Sequence, residues 1–327
     1  MIISKTPLRI SFVGGGSDIE SFYSKSAGAV VSTAIDKYVY ITVNKKFDNH
    51  IRVSYSKTEE VKHVDEIDHK LVKEILKFHK LKGGVEITSI ADIPSRGTGM
   101  GSSSSFSVGL LHCLYAYKNK YISAERLARE SCYIEIQKCK EPIGKQDQYT
   151  AAYGGFNFIQ FNTDGSVKVE PLIFQKKTRD ALKRSLLLFY TGVTRSASEV
   201  LREQNNNISM YTEKRKMVEK MVELTYFLRE DLQRNRLDTF GEILHKNWIL
   251  KKSLTGSISN PQIDKWYEIA LKNGAIGGKL LGAGGGGFLL FFAPVQKHKN
   301  IIKALRGLKY IPFDFDTEGS KIIFVHN

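Results

Sequence analysis

The chain has 327 residues, and 49 Lys and Arg against 34 Asp and Glu give it a formal charge of +15. The length suggests two domains of about 150 residues, and 42% hydrophobic with 25% charged residues is the balance of a folded chain rather than a disordered one. No apolar run approaches the ~20 residues that span a bilayer, and three cysteines, Cys113, Cys132 and Cys139, make neither a disulfide framework nor a CxxC zinc pair.

Arg9 interrupts the apolar residues near the N-terminus, so no secretory h-region forms and a cytoplasmic location is expected. The positive charge raises nucleic acid as a partner. The basic residues are dispersed, however, and Lys214-Arg215-Lys216 lies between Glu213 and Glu219 as on a solvated helix face. The expectation is an anionic small molecule, with no nucleic-acid or membrane partner.

In chain order, 8–13, 29–34, 38–43, 51–55 and 85–90 carry the β-branched and aromatic content of strands. Ile67, Leu71, Ile75 and Phe78 are spaced as on a helix over 66–80. Helices are expected over 105–117 and from Ser123 to about Gln137, with Ser123 as N-cap. Residues 156–161 alternate as a strand before the turn Asn162-Thr163-Asp164-Gly165. A second unit starts near Ser185, with strands at 186–190, 288–292 and 321–325 and helices over 209–234, 237–252, 261–273 and 296–306. The reading is α+β, with domains 1–184 and 185–327 flanking a crevice.

Glycines gather in three places: Gly14-Gly15-Gly16, Gly97-Thr98-Gly99-Met100-Gly101, and Gly282 to Gly287. The second group runs into Ser102-Ser103-Ser104-Ser105 between a strand and a helix. Glycines let backbone N–H groups approach an anion, and a helix N-terminus adds partial positive charge, so this loop reads as a phosphate cradle. It is no Walker A loop, because no Gly-Lys-Ser/Thr follows. Gly282-x-Gly284-x-x-Gly287 spells a dinucleotide fingerprint, but the strand after it stands where a helix belongs.

Three segments in order resemble the GHMP kinase superfamily: Pro7 to Asp18, the Pro94 to Ser105 loop, and Lys279 to Phe288. The phrases Glu141 to Tyr149, Ala152 to Asn157 and Tyr190 to Arg195 are similar to the D-glycero-D-manno-heptose 7-phosphate kinases. Fucokinases share the Gln-Asp-Gln and Thr-Gly-x-Thr-Arg phrases and are the alternative. Gly15-Gly16 stands where galactokinase-like members often have Glu-His.

The resemblance implies an N-terminal domain like ribosomal S5 domain 2, a ferredoxin-like C-terminal domain, and a monomer or homodimer. It implies ATP and Mg2+ as cofactors, and phosphorylation of a sugar phosphate at its anomeric C1 hydroxyl. Asp147 matches the catalytic aspartate and Arg9 the basic residue beside it; Asp147 as base, and Arg9 as main catalyst with Asp147 orienting the hydroxyl, are both open. Gly97, Gly99, Gly101, Ser102, Ser103 and Ser104 match the ATP phosphate loop. Ser103 and Glu135 match the magnesium ligands. Ser17, Asp18, Gly285 and Gly286 are expected at the sugar. A second substrate phosphate needs a cation, with Lys145 the first choice, Arg195 the second and Arg96 a third. A non-catalytic basic binding module of the same fold is the rival of another class.

Overall fold

The computed structural model describes residues 1–94, 98–193 and 197–326. The chain opens with β1 (Ile2–Val13), the short α1 (Glu20–Tyr23) and β2 (Gly28–Lys45). β3 (Ile51–Ser54), β4 (Thr58–Val61), α2 (Lys70–Phe78) and β5 (Val85–Ala91) follow, then α3 (Ser102–Tyr117) and α4 (Ala124–Cys132), which runs into a π-helical turn at Tyr133–Lys138. α5 (Gln146–Tyr153), β6 (Phe156–Phe161), β7 (Val167–Pro171) and α6 (Lys176–Arg184) complete this part.

The sequence predicts two strands where β2 is one. Asp36 and Lys37, which look like a break, are absorbed in a bulge, since Pro7 faces Tyr38 while Leu8 faces Ile35. The long strand pairs with β1, β6 and β5, and near its middle with a short strand from the far end of the chain. Buried α3 packs on β1 and β2, and this places its serine-rich N-terminus beside Pro7 and Arg9 of β1.

The second unit holds β8 (Leu186–Tyr190), α7 (Ala197–Met210), α8 (Thr212–Gln233), α9 (Phe240–Lys252) and α10 (Pro261–Lys272). After these come β9 (Gly277–Leu280), β10 (Phe288–Phe292), α11 (His298–Ala304) and β11 (Lys309–Tyr310). Its antiparallel sheet has the order β11-β8-β10-β9. With helices after β8 and β10, that connectivity is ferredoxin-like, as expected. The domain division needs adjustment at its far end. β12 (Phe315–Asp316) pairs with β2 and β13 (Lys321–Val325) with β1, so the last strands return to the first sheet and cover an edge of β1 that would otherwise be open. A shared core joins the units: Phe12 stacks on Phe156 at 5.9 Å and meets Phe240 edge-on at 5.3 Å. Among the described residues, no helix is long and apolar enough to cross a membrane.

Candidate active site

The second and third glycine loops interlock. Gly99 has φ +74°, and a Cβ there would lie 2.3 Å from the Leu281 carbonyl oxygen. A Cβ on Gly282 would come within 2.3 Å of the Gly99 Cα. Main chain therefore packs on main chain, and side chains at these points would force the two units apart. The Arg9 N–H donates to the Met100 carbonyl at 3.2 Å, which ties β1 to the same loop.

A cleft of about 990 Å³ opens at this junction, lined by Arg9, Asp147, Glu135 and the Ser102 to Ser104 segment. Asp147 lies in the first turn of α5. Arg9 is 3% exposed and grips it with two bonds, Nε to Oδ1 and Nη2 to Oδ2, each 2.8 Å. Its remaining arm, Nη1, donates to the Gly99 carbonyl at 2.6 Å. The guanidinium thus fixes the carboxylate relative to the phosphate loop, a bidentate geometry that Lys could not reproduce.

Glu135 lies in the π turn and lines the cleft beside α3; such turns recur at functional sites. Its carboxylate accepts from Ser104 Oγ (3.1 Å), Ser131 Oγ (3.2 Å) and Gln148 Nε2 (3.0 Å). All three donors are neutral, and it makes no ion pair with any described residue. Burial pushes its pKa up to about 7 despite these bonds. Ser104, placed by sequence at ATP, turns its hydroxyl inward to Glu135, while neighbouring Ser103 is exposed on the cleft wall. Tyr55, His69 and Phe106 form an aromatic wall farther along the cleft, with His69 and Phe106 stacked at 5.4 Å.

The residues expected at the sugar separate. Asp18 is 3% exposed, accepts from the Gly16 N–H at 3.0 Å and the Gln146 N–H at 3.2 Å, and so lies against Asp147's own helix. Burial raises its pKa, and the charge of Asp147 adds to the shift. Ser17 stands apart from the cleft: its fully buried hydroxyl donates to the Gly14 and Ala29 carbonyls and accepts from the Ala29 N–H, a latch between main-chain segments. Lys145 likewise points elsewhere. Its ammonium donates to the Gly165 carbonyl at 2.6 Å and sits 4.4 Å from the Tyr23 ring centroid. Gly285 donates its N–H to the Ile258 carbonyl, and Gly286 approaches the Val193 carbonyl, so both brace the second unit. Gly97, Arg96 and Arg195 lie outside the described residues.

Two helices of the second unit bring residues that sequence reasoning missed. Lys251 of α9 donates to the Gly15 carbonyl at 3.3 Å and to Gln204 Oε1 of α7 at 2.8 Å, and burial pushes its pKa down to about 8. Lys279 donates to the Ser11 and Phe12 carbonyls and is held well below the usual lysine range by burial. No local motif marks Gln204 or Lys251, since each sits on a helix remote in sequence from the loop it touches.

Two family models match this chain: the GHMP kinase N-terminal domain over residues 69–155 and the GHMP kinase C-terminal domain over 228–310. The chain belongs to the GHMP kinases, a class of ATP-dependent phosphotransferases. It is 32% identical to the D-glycero-alpha-D-manno-heptose 7-phosphate kinase of Campylobacter jejuni, covering 98% of each chain. It is 28% identical to the bifunctional fucokinase/GDP-fucose pyrophosphorylase of Arabidopsis thaliana, over 91% of this chain and 30% of that longer protein. In structure it resembles a D-glycero-D-manno-heptose 1-phosphate kinase from Bacteroides thetaiotaomicron, with a TM-score of 0.83 at 24% identity over all of both chains.

Proposed function

We propose that the protein transfers the γ-phosphate of ATP to the anomeric C1 hydroxyl of D-glycero-D-manno-heptose 7-phosphate, giving the 1,7-bisphosphate. The observation that carries this reading is the Arg9–Asp147 pair locked to the phosphate loop through Gly99. End-to-end likeness to a heptose 7-phosphate kinase points to the acceptor. The acceptor oxygen forms a bond to the γ-phosphorus as the bond to the β,γ-bridging oxygen breaks and ADP leaves. Asp147 orients the hydroxyl and receives its proton, and Arg9 holds that carboxylate and offsets charge as it develops. The α3 N-terminus and the loop around Gly99 to Ser104 receive the triphosphate, and the Tyr55–His69–Phe106 wall offers a face to the base.

A magnesium ion suits the oxygen donors present. Glu135 is a buried carboxylate with no cationic partner among the described residues, and Ser103 offers a hydroxyl on the cleft wall. One or two protein oxygens suffice for this ion, which when bound neutralises the phosphate oxygens. The reading places the enzyme in the cytoplasm, as a monomer or homodimer, with small molecules as its partners. The test is a screen with Mg-ATP over sugars and sugar phosphates, with the new phosphate located by NMR. The expected product carries phosphate at C1 of the heptose 7-phosphate, whereas faster turnover of free L-fucose would move the assignment to a fucokinase.

A further inference from the structure

Within Gly14-Gly15-Gly16, the fold demands two glycines and not the third. Gly14 has φ +85°, and a Cβ there would lie 2.0 Å from the Ala29 carbonyl oxygen. Gly16 has φ +106°, and its Cβ would lie 2.5 Å from Gln204 Nε2. Gly15 is outside the left-handed region. A Cβ there would find its nearest neighbours, Gln146 Nε2 and Ser11 Oγ, at 3.8 Å, an ordinary contact distance. Glycine costs chain entropy on folding, and neither backbone nor packing requires it here. The position is partly exposed, so the space opens outward.

The surroundings of that space are polar and incompletely paired. Among the described residues, buried Ser11 Oγ and Gln146 Oε1 have no hydrogen-bond partner, nor has Gln204 Nε2 against the adjacent Gly16. Buried polar atoms in native proteins nearly always have partners, so three together mark a place where another molecule supplies them. Lys251 stands at the same loop with two hydrogen bonds, to the Gly15 carbonyl and Gln204, although an ammonium can donate three. Gln146 is the residue before Asp147 and ties to Asp18 through its N–H, so the recess adjoins the proposed point of proton transfer.

We propose that Gly15 is a specificity-determining residue: its missing side chain leaves a recess that receives the arm of the acceptor sugar. Ser11, Gln146 and Gln204 hydrogen-bond that arm, and Lys251 offsets the charge of a terminal phosphate. This rests on the sugar-phosphate kinase reading above and assigns the task first given to Lys145 to a lysine of the other unit.

The experiment compares wild type, Gly15→Ala and Lys251→Met with the heptose 7-phosphate and the unphosphorylated heptose, alongside melting temperature and binding of a non-hydrolysable ATP analogue. For Gly15→Ala, unchanged melting and analogue binding are expected, with KM for the heptose 7-phosphate raised about tenfold or more and kcat little changed, the pattern of lost uniform binding. Lys251→Met is expected to lose about 10- to 100-fold in kcat/KM on the phosphorylated sugar and much less on the unphosphorylated one. Because Lys251 is buried, Gly15→Ala decides the matter if Lys251→Met does not fold. An unchanged sugar KM in folded Gly15→Ala, beside normal wild-type turnover, overturns the recess and leaves the kinase reading intact. No turnover of any sugar by wild type overturns both.

Discussion

Asp147 and Glu135 face one cleft in opposite surroundings. A guanidinium meets both oxygens of Asp147 at 2.8 Å, so the chain itself compensates that charge. Glu135 is 2% exposed and accepts from two hydroxyls and an amide, with no ion pair among the described residues and its pKa pushed up to about 7 by burial. The difference assigns labour. On the proposed reading, the carboxylate held by a bidentate arginine is the fixed acceptor for the substrate hydroxyl, and the buried carboxylate without a cationic partner among the described residues would be completed by one that arrives with the nucleotide.

The strongest way to break this comparison is Asp147→Asn, which removes the charge and keeps the shape. It is expected to lower kcat by about 10²–10⁴, the range for a general base, while leaving the half-saturating magnesium concentration in place. Steady-state kinetics at several magnesium concentrations check both. Ser104→Ala should act on the other carboxylate. Its hydroxyl supports Glu135 Oε2, and loss of such an outer partner costs about 10- to 100-fold in metal affinity. A titration of ATP turnover with magnesium reads that shift, and unchanged behaviour would detach Ser104 from Glu135's role.

The pH response sharpens the contrast further. Glu135's folded-state pKa of about 7 exceeds its ordinary 4.5, so the fold holds the protonated form more tightly than the unfolded chain does. Ionising it therefore removes stability as pH rises from about 4.5 to about 7. Magnesium binding needs the ionised form, so apparent affinity should rise up to about tenfold per pH unit below 7 and level off above it. Thermal melts and magnesium titrations across that range check the two signs together. The smallest effect is expected at Lys145, whose bonds are to Gly165 and the Tyr23 ring. Lys145→Met should cost about 1 kcal/mol of stability and leave kcat/KM for the heptose 7-phosphate nearly unchanged. A selective loss on the phosphorylated sugar would return the substrate phosphate to Lys145.

Arg9 and Asp147 were legible in sequence because each lies in a motif phrase, and Glu135 through its match to the family's magnesium carboxylate; the structure brings all three to one cleft. What surrounds them was not. The π turn that delivers Glu135 has no composition signal, and the two-residue bulge inside β2 looks like a strand end. Ser17 sits in a recognisable motif, yet its partners Gly14 and Ala29 are brought together by the antiparallel pairing of β1 and β2. Lys251 reaches Gly15 across 236 residues, and only the packing of α9 under the first loop makes that contact. Periodicity marks 321–325 as a strand, but a strand's partner is a property of the sheet, so the return of β13 to β1 was invisible. Local pattern finds residues that touch their own loop, and it misses those that complete a site from another element.

The division of labour between the two carboxylates is tested most directly by titrating magnesium against turnover in Glu135→Gln and Asp147→Asn side by side. Glu135→Gln is expected to need at least about tenfold more magnesium and to recover much of its rate when saturated, while Asp147→Asn stays slow at every concentration with wild-type half-saturation. The reverse pattern, in which magnesium rescues Asp147→Asn and Glu135→Gln saturates like wild type, would contradict the account.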